Sequence, residues 1–303
     1  MQRTRTYTDN PYREPDAEIF QAGSEPKGSV VRFEYTTRDY RGSDRTRYNK
    51  SALVYLPAGF DKSDRQKKYD ILYLMHGGSD SPEWYLGGEG SESEITHMLD
   101  KMIAHGELKP FIICAVSYYE DYLEDHVRNC IDFHFELMND IIPKFETEYP
   151  AYSENVTPEG LRASRKHRAM GGFSMGGVTT WSVFEHCLDS FAYFIPMSGD
   201  CWAKGIKAGG SDPEGTAKHL CDAVKAQGFG KEDFIIYTGA GEKDIAEPNL
   251  APQIEAMKKL DDIFVWADNF ADGNFYKVTV EGGWHDVHSV KKVMYNGLPK
   301  MFG

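Results

Sequence analysis

Eight short apolar runs punctuate the chain at 30–37, 47–56, 69–75, 110–116, 166–171, 191–197, 233–239 and 275–281. From the third onward they alternate with stretches of helical periodicity at 94–105, 131–148, 176–187, 215–227, 250–264 and 286–300. Runs such as Tyr69-Asp70-Ile71-Leu72-Tyr73-Leu74-Met75 and Phe111–Val116 are apolar at nearly every position, so they read as strands buried on both faces. Strands of that kind alternating with helices predict an α/β protein with a mostly parallel sheet covered on both sides. Ser29–Thr37 and Arg47–Leu56 have no helix between them and predict an antiparallel pair closed by Pro57. The first 28 residues are polar and broken at Asn10-Pro11, Glu14-Pro15 and Glu25-Pro26, which predicts an extended arm. Residues 29–303 carry no repeat, low-complexity tract or linker, and are expected to form one domain.

Candidate chemistry centres on Gly171-Gly172-Phe173-Ser174-Met175-Gly176-Gly177, between a predicted strand and a predicted helix. Glycines two residues to either side of a serine permit a very sharp strand-to-helix turn that pushes the hydroxyl clear of the backbone. Alone, such a run is also compatible with a flexible loop or a capped helix start. Its neighbours along the chain narrow the choice. Upstream, the 69–75 strand runs into His76-Gly77-Gly78-Ser79, where bare backbone N–H groups, together with that of Met175, could hold a negative oxygen. Downstream, the 233–239 strand is followed by Gly239-Ala240-Gly241-Glu242-Lys243-Asp244; Asp244 is the preferred acid and Glu242 its nearest competitor. The last strand gives way to Glu281-Gly282-Gly283-Trp284-His285, and His285 is the expected base, with His288 the local alternative. Oxyanion loop, nucleophile, acid and histidine thus follow in the chain order of an α/β-hydrolase.

The loops after the predicted strands also carry aromatic residues: Trp84 and Tyr85, Tyr118 and Tyr119, Trp202, and Trp284. Aromatics are 13% of the chain, so a few in loops mean little by themselves. Four loops converging beyond the carboxyl ends of parallel strands nevertheless suit a flat aromatic or sugar substrate. The acidic stretch Glu89–Glu94 reads as a solvated rim rather than a metal site, and the His285/His288 pair lacks a third ligand at sensible spacing. No metal or cofactor is expected.

A net charge of −13 disfavours nucleic acid and anionic membrane as partners, and no apolar stretch approaches spanning length. Met1-Gln2-Arg3-Thr4-Arg5 is basic without an apolar core behind it, so no signal peptide is expected; the protein is then cytoplasmic, or secreted with its leader removed. Five cysteines, at 114, 130, 187, 201 and 221, form no C-x-x-C pair and are expected to be mostly reduced core residues.

Read together, Ala52-Leu53-Val54-Tyr55-Leu56-Pro57, Tyr73-Leu74-Met75-His76-Gly77-Gly78, Gly172-Phe173-Ser174-Met175-Gly176, Ser198-Gly199-Asp200-Cys201-Trp202 and Asn296-Gly297-Leu298-Pro299-Lys300-Met301-Phe302 carry a resemblance from about Val30 to Phe302. The chain resembles the feruloyl esterases of carbohydrate esterase family 1, particularly those attached to bacterial xylanases. That resemblance implies an α/β-hydrolase fold and release of hydroxycinnamates from plant polysaccharide or oligosaccharide esters. It also implies Ser174, Asp244 and His285 as the triad, Gly78 and Met175 as oxyanion donors, and Trp202 against the ferulate ring; from the loop aromatics noted above, Trp84 and Tyr118 are further candidate substrate contacts. Acetylxylan esterase is the alternative within the same machinery. The loops Lys204–Gly215 and Ser79–Ser93 depart from the family pattern.

Overall fold

The computed structural model describes residues 11–41, 46–119 and 125–303. Eight strands form one sheet: β1 (Ser29–Arg38), β2 (Arg47–Leu56), β3 (Asp70–Met75), β4 (Phe111–Val116), β5 (Arg168–Phe173), β6 (Tyr193–Met197), β7 (Ile235–Gly241) and β8 (Phe275–Val280). Their spatial order is β1-β2-β4-β3-β5-β6-β7-β8. The β1–β2 and β2–β4 pairs are antiparallel and every other pair is parallel. This is the α/β-hydrolase fold.

The apolar runs are explained by burial on two sides. On β3, Ile71, Tyr73 and Met75 join one core while Leu72 and Leu74 join the other. On β4, Ile112, Cys114 and Val116 alternate in the same way with Phe111, Ile113 and Ala115. Among the helices, α1 (Glu83–Leu86), α2 (Glu94–Ala104) and α10 (Val287–Phe302) cover one face, with Met98, Leu99, Val290 and Met294 facing in. The other face packs against α3 (His126–Glu136), α4 (Ile142–Glu148), α5 (Pro158–Ala163), α6 (Met175–His186), α8 (Pro213–Ala226) and α9 (Glu247–Met257). The four-residue α7 (Ala208–Ser211) lies against α9.

Several boundaries differ from expectation. The predicted 131–148 helix starts at His126, because Asp125 caps it by accepting the Arg128 N–H, and it runs into α4 through a π-helical turn at Leu137–Ile141. The predicted 250–264 helix begins at Glu247, where Pro248 suits the first turn, and ends at Met257; Ile263 and Phe264 reach the core from turns instead. Strand β5 starts two residues late because Arg165–His167 form a 3-10 turn. The expected arm contains a short 3-10 turn at Ala17–Phe20; its first ten residues lie outside the described residues.

All five cysteines are buried and free. Burial pushes the Cys201 thiol up to about 12, which leaves it un-ionised and inert.

Arg168, at the base of the strand that leads to Ser174, is buried in a fully paired site. Its Nε and Nη2 donate to the two carboxylate oxygens of Glu146 at 2.5 and 2.7 Å, and Nη1 donates to the carbonyls of Leu161 and Ser190. The Tyr73 and Ser153 hydroxyls complete the Glu146 shell. Glu146→Gln keeps the shape and strands a buried guanidinium without its counter-charge. We expect urea unfolding to report a loss of about 3–5 kcal/mol.

Candidate active site

Strand β5 ends at Phe173 and α6 begins at Met175, leaving Ser174 alone at the corner with φ 56° and ψ −117°. That conformation is strained for a residue with a Cβ and persists only where the surroundings impose it. The flanking glycines show how tight the corner is. A Cβ on Gly172 would sit 2.3 Å from the Gly176 carbonyl oxygen, and one on Gly176 would sit 2.1 Å from that of Met75.

The β7–α9 and β8–α10 loops meet above this corner. The Lys243 N–H donates to the Gly283 carbonyl at 2.8 Å, and the Glu242 N–H to that of Val280 at 2.9 Å. Held this way, His285 Nδ1 lies 2.7 Å from Asp244 Oδ1, and its Nε2 lies 2.9 Å from Ser174 Oγ. Asp244 is buried. Burial would raise its pKa, but hydrogen bonds from His285 and the Ala246 N–H to Oδ1 outweigh that and hold it below the usual carboxylate range. An ionised Asp244 only accepts, so Nδ1 carries the hydrogen, Nε2 is the acceptor, and the Ser174 hydroxyl donates to it. Glu242, the competing acid, is exposed and accepts the Gly282 N–H at 2.9 Å. His288 is exposed on the first turn of α10. Among the described residues no group of three metal-binding side chains converges.

The His76–Ser79 loop lies beside Ser174, close enough that a Cβ on Gly78 would be 3.0 Å from Met175 Sδ. The Gly77 carbonyl accepts from His76 Nδ1 at 2.7 Å and from the Tyr118 hydroxyl at 3.0 Å. In a trans peptide the N–H points opposite to the carbonyl, so these two bonds fix the direction of the Gly78 N–H. Burial lowers the His76 pKa to about 4, so the ring is neutral, with Nδ1 donating and Nε2 accepting from the Ser117 hydroxyl at 2.8 Å. Tyr119 stacks on the His76 ring at 5.1 Å, and its hydroxyl accepts the Ser79 N–H. Met175 is the first residue of α6, where backbone N–H groups have no partner within the helix.

A cavity of about 230 Å³ opens beside Ser174 and His285, walled by Val178, Ser198, Gly199 and Trp202. The Trp202 indole is fixed by donating from Nε1 to Asp200 Oδ1 at 3.0 Å; the other Asp200 oxygen accepts the Gly209 N–H at 2.9 Å. Burial raises the Asp200 pKa, and those two bonds oppose it.

Two expected substrate contacts are placed elsewhere. Tyr118 is fully buried beneath the His76–Ser79 loop, because its hydroxyl finds its acceptor on Gly77. Trp84 stacks face to face on Phe173 at 4.9 Å and 7°, and Phe173 in turn packs on the His285 ring at 4.4 Å. Trp84 therefore props the histidine from behind instead of lining the cavity. Phe173, His76 and Ser198 were quoted within motifs but given no site role by sequence, since nothing local shows which way a side chain beside a glycine faces. Along the acidic stretch, Arg32 pairs with Glu89, Lys27 and His97 with Glu92, and Lys291 with Glu94.

No family model matches the chain. It is 38% identical over 255 residues to endo-1,4-beta-xylanase Y of Acetivibrio thermocellus, covering 84% of this chain and 22% of that protein. It is 29% identical over 212 residues to an endo-1,4-beta-xylanase/feruloyl esterase of Xylanibacter ruminicola, covering 64% of this chain and 27% of that protein. The chain thus spans about a quarter of the length of these curated relatives. A serine-to-alanine variant of the feruloyl esterase module from Clostridium thermocellum, solved in complex with sinapinate, superposes with a TM-score of 0.81 at 34% identity, covering 97% of this chain and 95% of that one. With that identity sustained over nearly the full length of both chains, this chain belongs to the feruloyl esterase family, and within it to the xylanase-associated type.

Proposed function

We propose that this chain is a serine carboxylic-ester hydrolase that releases ferulate and related hydroxycinnamates from arabinoxylan-type polysaccharide or oligosaccharide esters. The observation that carries the proposal is the hydrogen-bonded series Ser174–His285–Asp244 at the edge of a cavity walled by a fixed tryptophan. The modules and xylanases it resembles supply the substrate class.

His285 Nε2 takes the hydroxyl proton as Ser174 Oγ bonds to the ester carbonyl carbon. Asp244 keeps the hydrogen on Nδ1 and supports the imidazolium that forms. The carbonyl oxygen becomes an oxyanion, received by the N–H groups of Met175 and Gly78. Each such donor is worth about 100- to 1000-fold in turnover because it is already aimed before charge develops. His76 and Tyr118 contribute by holding the Gly77–Gly78 peptide in that direction. Collapse of the tetrahedral adduct breaks the bond to the alcohol oxygen, which leaves with the proton from His285. Water then gives a proton to His285 and its oxygen to the acyl carbon; the Ser174 ester breaks, Oγ regains a proton, and the free acid departs.

Trp202 against the acyl ring accounts for an aromatic preference. Trp202→Ala should lower kcat/KM for methyl ferulate about 10- to 100-fold, the scale of one buried aromatic contact, and should lower it less for an aryl acetate. Equal losses on both esters would refute the ring-binding role. Wild-type turnover confined to acetyl esters would refute the hydroxycinnamate reading and favour an acetylxylan esterase.

A further inference from the structure

Behind the His76–Ser79 loop lies a buried polar network that joins β2 and α3 to the end of β4. It starts at an ion pair: Lys50 Nζ on β2 lies 2.8 Å from Oε1 of Glu136, the last residue of α3, and the two side chains are only 9% and 8% exposed. The Tyr35 hydroxyl donates to the same Glu136 oxygen at 2.6 Å. Burying a charged pair adds little stability over apolar side chains of similar volume, because both groups lose their hydration. The lysine makes a further bond that an apolar side chain would not. Its Nζ donates to the carbonyl of Ser117, the residue after β4, at 2.9 Å.

Ser117 carries that restraint to the oxyanion loop. Its hydroxyl oxygen accepts the Tyr119 N–H at 3.1 Å, which directs the hydroxyl hydrogen toward His76 Nε2 at 2.8 Å. A neutral imidazole carries one hydrogen, so a donor at Nε2 goes with the hydrogen on Nδ1. Nδ1 donates in turn to the Gly77 carbonyl at 2.7 Å, in the peptide whose N–H belongs to Gly78. Bonded at both nitrogens, the His76 ring is held against rotation. Without the Ser117 hydroxyl, the buried Nε2 would lose its partner and the ring one of its two anchors.

We propose that Lys50 and Ser117 are positioning residues for the reaction: through His76 they hold the Gly77–Gly78 peptide, so that the Gly78 N–H is aimed at the oxyanion before charge develops. The inference rests on the esterase reading above.

Three variants test it with methyl ferulate as substrate: Ser117→Ala, Ser117→Thr, and Lys50→Met/Glu136→Gln, which removes both buried charges together. Ser117→Ala should lower kcat about tenfold and leave KM within about twofold, a fraction of the ~100- to 1000-fold that a correctly aimed oxyanion donor supplies. Ser117→Thr, which keeps the hydroxyl, should recover most of that loss. An arylboronic acid becomes tetrahedral and anionic on a reactive serine, so its inhibition constant should rise in Ser117→Ala by about the factor that kcat falls. Lys50→Met/Glu136→Gln should also lower kcat at constant KM, and adding Ser117→Ala to it should cost less than in the wild type, because both changes act through one ring. A kcat for Ser117→Ala within about twofold of wild type, an unchanged boronate affinity, or losses that multiply in full would overturn the inference. Ser117→Ala removes a single hydroxyl and keeps the test decisive should the charge-free pair fail to fold. If the wild type left methyl ferulate intact, the esterase reading would itself fall, whereas the outcomes above strike the inference alone.

Discussion

Ser174→Ala yields a folded protein whose release of ferulate from methyl ferulate drops on the order of 10⁶-fold in kcat, the scale seen when a serine hydrolase loses its nucleophile. The loss is large because no other group can replace the missing bond. The hydroxyl stands alone at the β5–α6 corner, with His285 Nε2 at 2.9 Å as its proton acceptor. The cysteine thiols are buried, so none can take over the attack. Folding should survive, since the change removes one partly exposed oxygen from a residue whose backbone is fixed by the Ser174 N–H to Met197 carbonyl bond at 2.9 Å. Circular dichroism and the urea midpoint check the fold; single-turnover kinetics check the chemistry. Turnover near the wild-type rate would remove Ser174 from the mechanism.

Asp244→Asn is expected to cost about 10⁴-fold in kcat, as the equivalent change does in a serine protease triad. Asp244 Oδ1 accepts both His285 Nδ1–H and the Ala246 N–H. A neutral amide turned with its oxygen toward both donors keeps the geometry but loses the charge that supports the imidazolium. Turned the other way, its NH₂ faces Nδ1 and forces the hydrogen onto Nε2, which can then no longer accept from Ser174. Either arrangement slows acylation. Glu242→Gln is the matched control: its carboxylate is exposed and braces only the Gly282 N–H, so a loss below about threefold is expected there. If the control proved the more damaging of the two, Asp244 would not be the acid.

Legibility in the sequence followed burial. The strands around the site were readable because residues such as Ile71–Met75 and Phe111–Val116 are packed on both faces, which demands apolar side chains at successive positions. Helices α2 and α6 were readable to within a residue or so at each end from their periodicity. The short elements α1, α5 and α7 were not, since four to six residues cannot complete enough turns to show a period.

Within the site the division is chemical. Chain order and glycine spacing were enough to nominate Ser174, His285 and a nearby acid, because a sharp strand-to-helix corner needs bare neighbours wherever it occurs. Local sequence favoured Asp244 over Glu242, two residues apart on one loop, only because the helical stretch from Pro252 begins soon after it. That choice depends on which carboxylate the β7–α9 turn buries toward the β8–α10 loop. Local sequence could not reveal that Trp84 lies behind His285 through Phe173, or that Tyr118 holds Gly77 from below. An aromatic ring in a loop can face either a cavity or the core, and its direction is set by residues that are distant along the chain and adjacent only once the sheet has formed.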